Sequence, residues 1–449
     1  MKDNSESLQQ FLESHPGIEI FEDMLPELPG GLRGKWVTRH KIGKVMAGAL
    51  KLPLSTAVLD VWGRDFEAWV FDTGDGDVRC EAHIQTLAFV PWAERPTGQV
   101  MISMREVDGR PCGYDPRFLL GSLVQRFQAL GLTPVLASEM EFYLFRDEQD
   151  ELGRPVHTQT DRVGGALASG QTYCIDTMSG MADLMHDIRD ACTAQRLPID
   201  TLIKESAPSQ YEINLYHSAD AVLAADQAVM LQRVIRGVAA RHGLRATFMA
   251  KPFGDLAGNG MHVHCSLLDS DGNNAFDDGT GRGTELLRQA VAGCLDSMAD
   301  SMLLFAPNLN SYRRFQRGTH APLAPSWGYE NRTVALRVPA DSPAATRVEH
   351  RVAGADAPPH LVLAADLAGM LHGIENKLVA PAPLEGNAYD QLPASLPRYW
   401  PDALARFADS DFVAQYLGSE FQRVYTLLKQ QELDEFDRQV TPLEYDACI

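Results

Sequence analysis

The sequence contains no Cys-x-x-Cys pair, and its seven cysteines are scattered and odd in number. That excludes a thiolate zinc site and a disulfide framework. Basic charge is scarce: 40 Lys and Arg stand against 60 Asp and Glu, for a formal charge of −20. Such a chain is ill suited to grip nucleic acid or an anionic bilayer surface. Long apolar runs are missing too, since the longest, Leu361 to Ile374, carries Asp366 and is too short to span a bilayer. Met1 to Gln10 is polar, without the apolar centre of a secretion signal, so a cytoplasmic protein is expected with neither membrane nor nucleic acid as partner.

What remains is an ordinary globular composition of 449 residues, 45% hydrophobic and 22% charged, enough for one large domain plus a smaller one. Residues 1–20 read as an acidic, loosely structured lead-in. From 21 to 113 short β-type runs, such as Ala57–Trp62 and Val100–Met104, alternate with Gly- and Asp-rich turns. The boundary falls at Asp115-Pro116, a helix cap followed by proline at the first helical position, with Leu119, Leu120, Leu123 and Phe127 on the buried face. From 114 to 449 helical patterns at 181–195, 219–242, 285–301, 361–377 and 421–430 alternate with strand patterns at 135–145, 210–215, 261–267, 333–338 and 347–352. Residues 146–172, rich in charge, Gly and Thr, read as a mobile connection.

Polar side chains recur at strand spacing. Residues two apart on a strand face the same way, so Glu139 pairs with Glu141, Gln210 with Glu212 and Asn214, His262 with His264, and Arg347 with Glu349 and Arg351, while Glu205 precedes the second set. One Glu-x-Glu alone is a solvated strand face. Four such groups together suggest convergence, and carboxylates ~4 Å apart repel by roughly 4 kcal/mol at an effective dielectric near 20, which divalent cations relieve. Carboxylates with imidazole and no thiolate favour Mg²⁺ or Mn²⁺. The Gly254–Gly260 loop lets backbone approach a ligand closely but lacks the Lys-Ser or Lys-Thr of a phosphate-binding loop.

These residues carry a resemblance. Asn310-Ser311-Tyr312-Arg313-Arg314, Trp327-Gly328-x-x-Asn331-Arg332, Arg337-Val338-Pro339, Arg347-Val348-Glu349-His350-Arg351, Gly260-Met261-His262-Val263-His264 and Glu205-x-x-x-x-Gln210-x-Glu212 stand in the order seen in the glutamine synthetase family. The similarity spans roughly residues 20 to 445. It implies an α+β fold, with a small β-grasp-like N-terminal domain and a large catalytic domain built on a curved antiparallel sheet flanked by helices. It also implies a homo-oligomeric ring, a dodecamer of two hexamers, with active sites between subunits.

By the resemblance, Glu141, Glu205 and Glu212 hold one metal and Glu139, His262 and Glu349 a second. His264, Ser266, Arg337 and Arg347 contact ATP; Gly258, Arg314 and Arg351 bind glutamate; Arg332 steadies the transferred phosphoryl group. The implied reaction phosphorylates the γ-carboxylate of glutamate, and an amine then displaces phosphate.

Departures from the family set the expected amine. The acid that the family brings to its ammonium pocket is His320 here, and a second acidic position is His83. A neutral imidazole supplies a proton acceptor without fixed negative charge, so an organic amine of the γ-glutamylamine ligase branch is expected, with His320 as general base. Alternatives are an ammonia-using glutamine synthetase and a non-catalytic structural or amine-sensing homologue. Ala257 replaces the family's Asn on the glutamate loop, which leaves the acid substrate open to an analogue, and Tyr389 is read as an ordinary surface tyrosine.

Overall fold

The computed structural model describes residues 2–66, 69–70, 74–151, 153–158, 172–339, 342 and 345–449, with side chains from residue 5. Fifteen strands form two sheets among these residues. The first uses β1 (Ile20–Pro26), β2 (Leu32–Thr38), β3 (Lys51–Pro53), β4 (Asp77–Ala82), β5 (Ala88–Phe89) and β6 (Thr97–Arg105) in the order β2-β1-β6-β4-β3, with β5 paired to β6. β1 and β6 run parallel and the other pairs antiparallel.

The second sheet holds β7 (Thr133–Gln149), β8 (Pro155–His157), β9 (Ile199–Lys204), β10 (Gln210–Leu215), β11 (Leu244–Thr247), β12 (Met261–Leu268), β13 (Trp327–Tyr329), β14 (Leu336–Val338) and β15 (Val348–His350). Its order is β13-β14-β15-β12-β7-β10-β9, with β8 and β11 also pairing β7. All pairs are antiparallel except β13 with β14.

Helices cover the sheets: α1 (Lys2–Ser14), α2 (Pro116–Ala129), α3 (Ala182–Ala194), α4 (Ala221–Arg241), α5 (Glu285–Ser297), α6 (Pro359–Glu375) and α7 (Ser419–Asp437) are the long ones. The α2 start follows its sequence signal, since the Asp115 carboxylate accepts from the backbone N–H of Arg117 and Phe118 at 2.9 and 3.3 Å. α6 is apolar on nearly every face, His360 and Asp366 apart, because nearly all of it is buried. It crosses α5 at a glycine contact: a Cβ on Gly293 would stand 2.1 Å from the Gly369 carbonyl.

Three expectations are corrected. The lead-in is largely helical, because Leu8, Phe11 and Leu12 form a stripe that packs on the core. Ala57–Trp62 is not a strand: the Asp60 carboxylate accepts from Trp62 and Arg64 N–H, both at 2.9 Å, and folds it into a turn. Of the connection at 146–172, residues 146–149 extend β7 and 155–157 form β8, while residues 152 and 159–171 lie outside the described residues.

Candidate functional site

Register across the second sheet brings the polar residues together. Glu141 lies opposite Glu212 on β10, and Glu139 lies opposite both Asn214 on β10 and His262 on β12. His264 in turn faces Glu349, and Glu349 faces Arg337. Glu205, the residue after β9, completes the first group: carboxylate oxygens of Glu141, Glu205 and Glu212 lie within 4.8 Å of one another. Glu139, His264 and Glu349 form a second group by the same measure.

The electrostatics differ between the groups. In the first, burial and then mutual repulsion push Glu141 up to about 7 and Glu212 up to about 9, and burial raises Glu205 as well. Three carboxylates that resist ionising together are a set short of cationic charge. In the second, burial would raise Glu349, but Arg351, His262 and His264 outweigh it and hold the carboxyl near 2. Glu139 is likewise held well below the usual range, its burial outweighed by His262 Nδ1 at 3.1 Å and His264 Nε2 at 2.9 Å. Hard oxygen donors with imidazole and no thiolate fit Mg²⁺ or Mn²⁺.

Both histidines touch Glu139, and His262 Nδ1 also stands 3.8 Å from Glu349. The three-residue group contains His264, a residue the resemblance gave to ATP, while His262 stands beside the same two carboxylates. Arg347 donates from Nε to His264 Nδ1 at 3.1 Å, which leaves Nε2 turned to Glu139.

Two cavities meet at this wall. One of about 680 Å³ is lined by Glu139, Glu141, Glu205, Glu212, His262, Gly258, Arg314, His320, Arg332 and Arg351. The other, about 440 Å³, is lined by Glu139, His264, Ser266 and Arg347 together with Val135, Ala137 and Tyr216. Glu139 faces both. Glu349 lies behind the wall, 1% exposed, bonded to Arg351 and, at 2.8 Å, to Arg337.

The guanidinium groups are fixed by backbone. Arg314 Nη1 donates to the Val352 carbonyl at 2.7 Å. It passes directly over Gly258 and Gly260: a Cβ on Gly260 would lie 2.8 Å from Arg314 Nη2 and one on Gly258 3.1 Å from its Cγ. The Gly254–Gly260 loop itself is pinned by Tyr143, whose hydroxyl donates to the Ala257 carbonyl at 2.6 Å, and by Gln210, whose amide donates to the Gly258 carbonyl at 2.9 Å. Arg332 and His320 are exposed on turns at the cavity mouth, His320 in the left-handed region at φ 58°.

Residues 113–448 match the family described as glutamine synthetase, catalytic domain. The chain belongs to the glutamine synthetase family. Gamma-glutamylputrescine synthetase PuuA of Escherichia coli (strain K12) is 38% identical to it, over 99% of this chain and 94% of that protein. The glutamate–isopropylamine ligase of a Pseudomonas species is 33% identical over 95% of this chain and 94% of that protein. Gamma-glutamylethanolamide synthetase GlnA4 of Streptomyces coelicolor (strain ATCC BAA-471 / A3(2) / M145) is 32% identical over 93% and 90%. Among solved structures, a GmaS complex with ADP superimposes at a TM-score of 0.85 with 26% identity, over 98% of this chain and 99% of that one. These relatives place the chain in the amine-ligase branch of the family, and its fold is the glutamine synthetase fold.

Several residues of this glutamine synthetase relative shape the site without having been given a role in the sequence. Asn310 acts as a strand would toward Lys251, accepting from its N–H at 2.8 Å and donating to its carbonyl at 3.0 Å. Half-buried Asp356 accepts from Asn308 at 2.9 Å and Ser311 at 2.6 Å, which sets the turn that delivers Arg314. Lys251, Tyr173 and Asp255 also line the larger cavity. Asn310 and Ser311 stood in a recognised motif; nothing local marked Asp356. Arg313 of the same motif is exposed and lines neither cavity, and His83, 2.9 Å from the Ser103 hydroxyl, lines neither cavity either.

Proposed function

We propose that this protein is an ATP-dependent ligase that joins glutamate to an organic amine through γ-glutamyl phosphate. The observation that carries the reading is Glu139 standing between two cavities, beside the Glu141–Glu205–Glu212 cluster in the larger one and grouped with His264 and Glu349 itself. ATP and divalent ions belong to this family's chemistry. The finer assignment puts one Mg²⁺ or Mn²⁺ on Glu141, Glu205 and Glu212, and a second on Glu139 and Glu349 with His262 and His264 in contact. Such ions would neutralise phosphate charge and lower the barrier to phosphoryl transfer.

The chain's own side chains do the rest. His264, Ser266 and Arg347 line the smaller cavity as the nucleotide side, with Arg337 behind them on Glu349. Arg314 and Arg351 meet the glutamate carboxylates from the larger cavity, beside the Gly258 loop. A γ-carboxylate oxygen attacks the γ-phosphorus and ADP leaves. Arg332, exposed at the mouth, offsets charge on the transferring phosphoryl group. The amine nitrogen then attacks the acyl carbon, phosphate departs with the carboxylate oxygen, and His320 takes the amine proton.

The relatives name putrescine, isopropylamine and ethanolamide chemistry in their own cases. For this chain an organic amine larger than ammonium fits best, monoamine, diamine or polyamine, since His320 offers no fixed negative charge to concentrate ammonium. A homo-oligomeric ring is part of the proposal, supported by large apolar side chains left outside the core, Trp36 at 72% exposure among them.

The test is ADP release with ATP, Mg²⁺ and glutamate across ammonium, monoamines, diamines and polyamines, with the product weighed by mass spectrometry. The expected result is a γ-glutamyl amide of an alkyl amine. Full activity on low-millimolar ammonium with no gain from alkyl amines would make it an ammonia-using synthetase, and no amine-dependent ADP release a non-catalytic relative.

A further inference from the structure

The turn bearing Arg332 and the turn bearing His320 are far apart in role but share one support, the segment Leu384–Asp390. On one side, Asn331 Nδ2 donates to the carbonyls of Leu384 at 3.1 Å and Gly386 at 2.8 Å. Thr333 Oγ1 accepts from the Ala388 N–H at 3.0 Å. These two side chains flank Arg332. The fit is close, because a Cβ on Gly328 would stand 2.5 Å from the Leu384 carbonyl.

On the other side, the Tyr389 hydroxyl donates to the Ala321 carbonyl at 2.8 Å. Arg317 donates to the Tyr389 carbonyl at 2.5 Å and forms an ion pair with Asp390. Arg317 and Ala321 bracket the turn Gly318-Thr319-His320, whose last residue has a left-handed backbone at φ 58°. A non-glycine residue holds that conformation only when its surroundings impose it. Tyr389 is therefore a clasp on the turn rather than an idle surface tyrosine.

We propose that Leu384–Asp390 is a strap that sets where His320 stands relative to Arg332, and that Tyr389 is a positioning residue for amine selection. This rests on the reading of His320 as the amine-side proton acceptor. A longer or looser strap lets His320 drift from the acyl carbon while leaving the nucleotide cavity, lined by other strands, undisturbed.

The experiment compares Tyr389→Phe with wild type, in both the native and the His320→Ala background, for each amine that supports turnover. In the native background kcat/KM for the amine falls about fivefold, as for one lost neutral hydrogen bond, with KM for ATP unmoved. In the His320→Ala background the same change alters amine kcat/KM by less than about twofold, because the clasp acts through the missing ring. Asp390→Asn, which frees Arg317, follows the same pattern. Wild-type amine kinetics in both variants, or an equal fall in both backgrounds, would overturn the strap alone. Absence of amine-dependent ADP release in the wild-type protein would overturn the functional reading and the strap's part in it together.

Discussion

Glu141 and Glu212 sit directly opposite each other across the antiparallel β7–β10 pair, a half-buried and a buried carboxylate where a sheet ordinarily places complementary partners. The strands are held in this register by backbone bonds and by the apolar residues on the reverse face, so the side chains have no means of separating. Glu205 adds a third carboxylate from the end of β9. Metal-free, the cluster avoids that repulsion by keeping protons on Glu141 and Glu212, and an added dication relieves it with the carboxylates ionised.

That relief is measurable as stability. Saturating Mg²⁺ raises the unfolding free energy by about 2.7 kcal/mol at one hundred times its Kd. Glu212→Gln puts a neutral amide where the metal-free protein holds a protonated carboxyl, so the metal-free variant melts close to the wild type while the loss of the proposed ligand shrinks its Mg²⁺-induced shift in Tm. An unchanged Mg²⁺ shift in Glu212→Gln, read by differential scanning calorimetry, would place the metal elsewhere.

The same carboxylates set a pH dependence for metal uptake. Folded and metal-free, Glu141 keeps its proton up to about pH 7 and Glu212 up to about pH 9. A dication must displace those protons, so apparent affinity rises with pH across this window and levels off above it. Titration calorimetry with Mg²⁺ at pH 6, 7.5 and 9 in two buffers of different ionisation enthalpy checks both the trend and the proton release.

Arg351 is the near partner of Glu349, which is 1% exposed and also holds Arg337. Arg351→Met leaves that buried carboxylate half-compensated and costs about 3 kcal/mol of unfolding free energy, the low end for a broken buried pair because Arg337 remains. Glutamate KM rises in parallel. Urea unfolding and steady-state kinetics on the same sample separate the two effects, and Arg351→Lys keeps the charge but not the guanidinium fork.

Much of this site could be read from the sequence because strand periodicity reports which side chains share a face. Glu139 with Glu141, and His262 with His264, follow from spacing alone, and the caps at Asp115 and Pro116 placed the start of α2. Spacing does not rank two histidines on one face, so the grouping of His264 with Glu139 and Glu349 needed the packed sheet. It was also blind to supports that act across long sequence distances, such as Asp356 beneath Ser311 and Tyr389 beneath Ala321. The helix at Lys2–Ser14 was missed for a different reason: its polar residues outweighed a short apolar stripe that only tertiary contact makes stable.

A separate prediction concerns the first sheet. Asp23 is 2% exposed with neither carboxylate oxygen hydrogen-bonded, and burial, partly offset by Lys35, raises its pKa to about 7. The unfolded chain releases this proton near pH ~3.9, so between these values the native state binds the extra proton. The resulting stability is present at low pH and is lost as pH rises through about 7. Asp23→Asn removes the penalty. Its advantage over wild type grows by roughly 2–4 kcal/mol between pH 4 and pH 8, and a constant difference across that range in urea unfolding would refute the assignment.

The amine side is tested by charge. His320→Glu restores a negative group at the cavity mouth and shifts the ratio of kcat/KM for ammonium over alkyl amine upward by about tenfold. A ratio that does not move would place amine recognition away from His320.

The central claim is that ATP phosphorylates the γ-carboxylate of glutamate before the amine arrives. Glutamate labelled with ¹⁸O in its γ-carboxylate, incubated with ATP, Mg²⁺ and an accepted amine, should yield inorganic phosphate carrying one ¹⁸O atom for each amide formed. Amide formation with unlabelled phosphate would contradict the acyl-phosphate route.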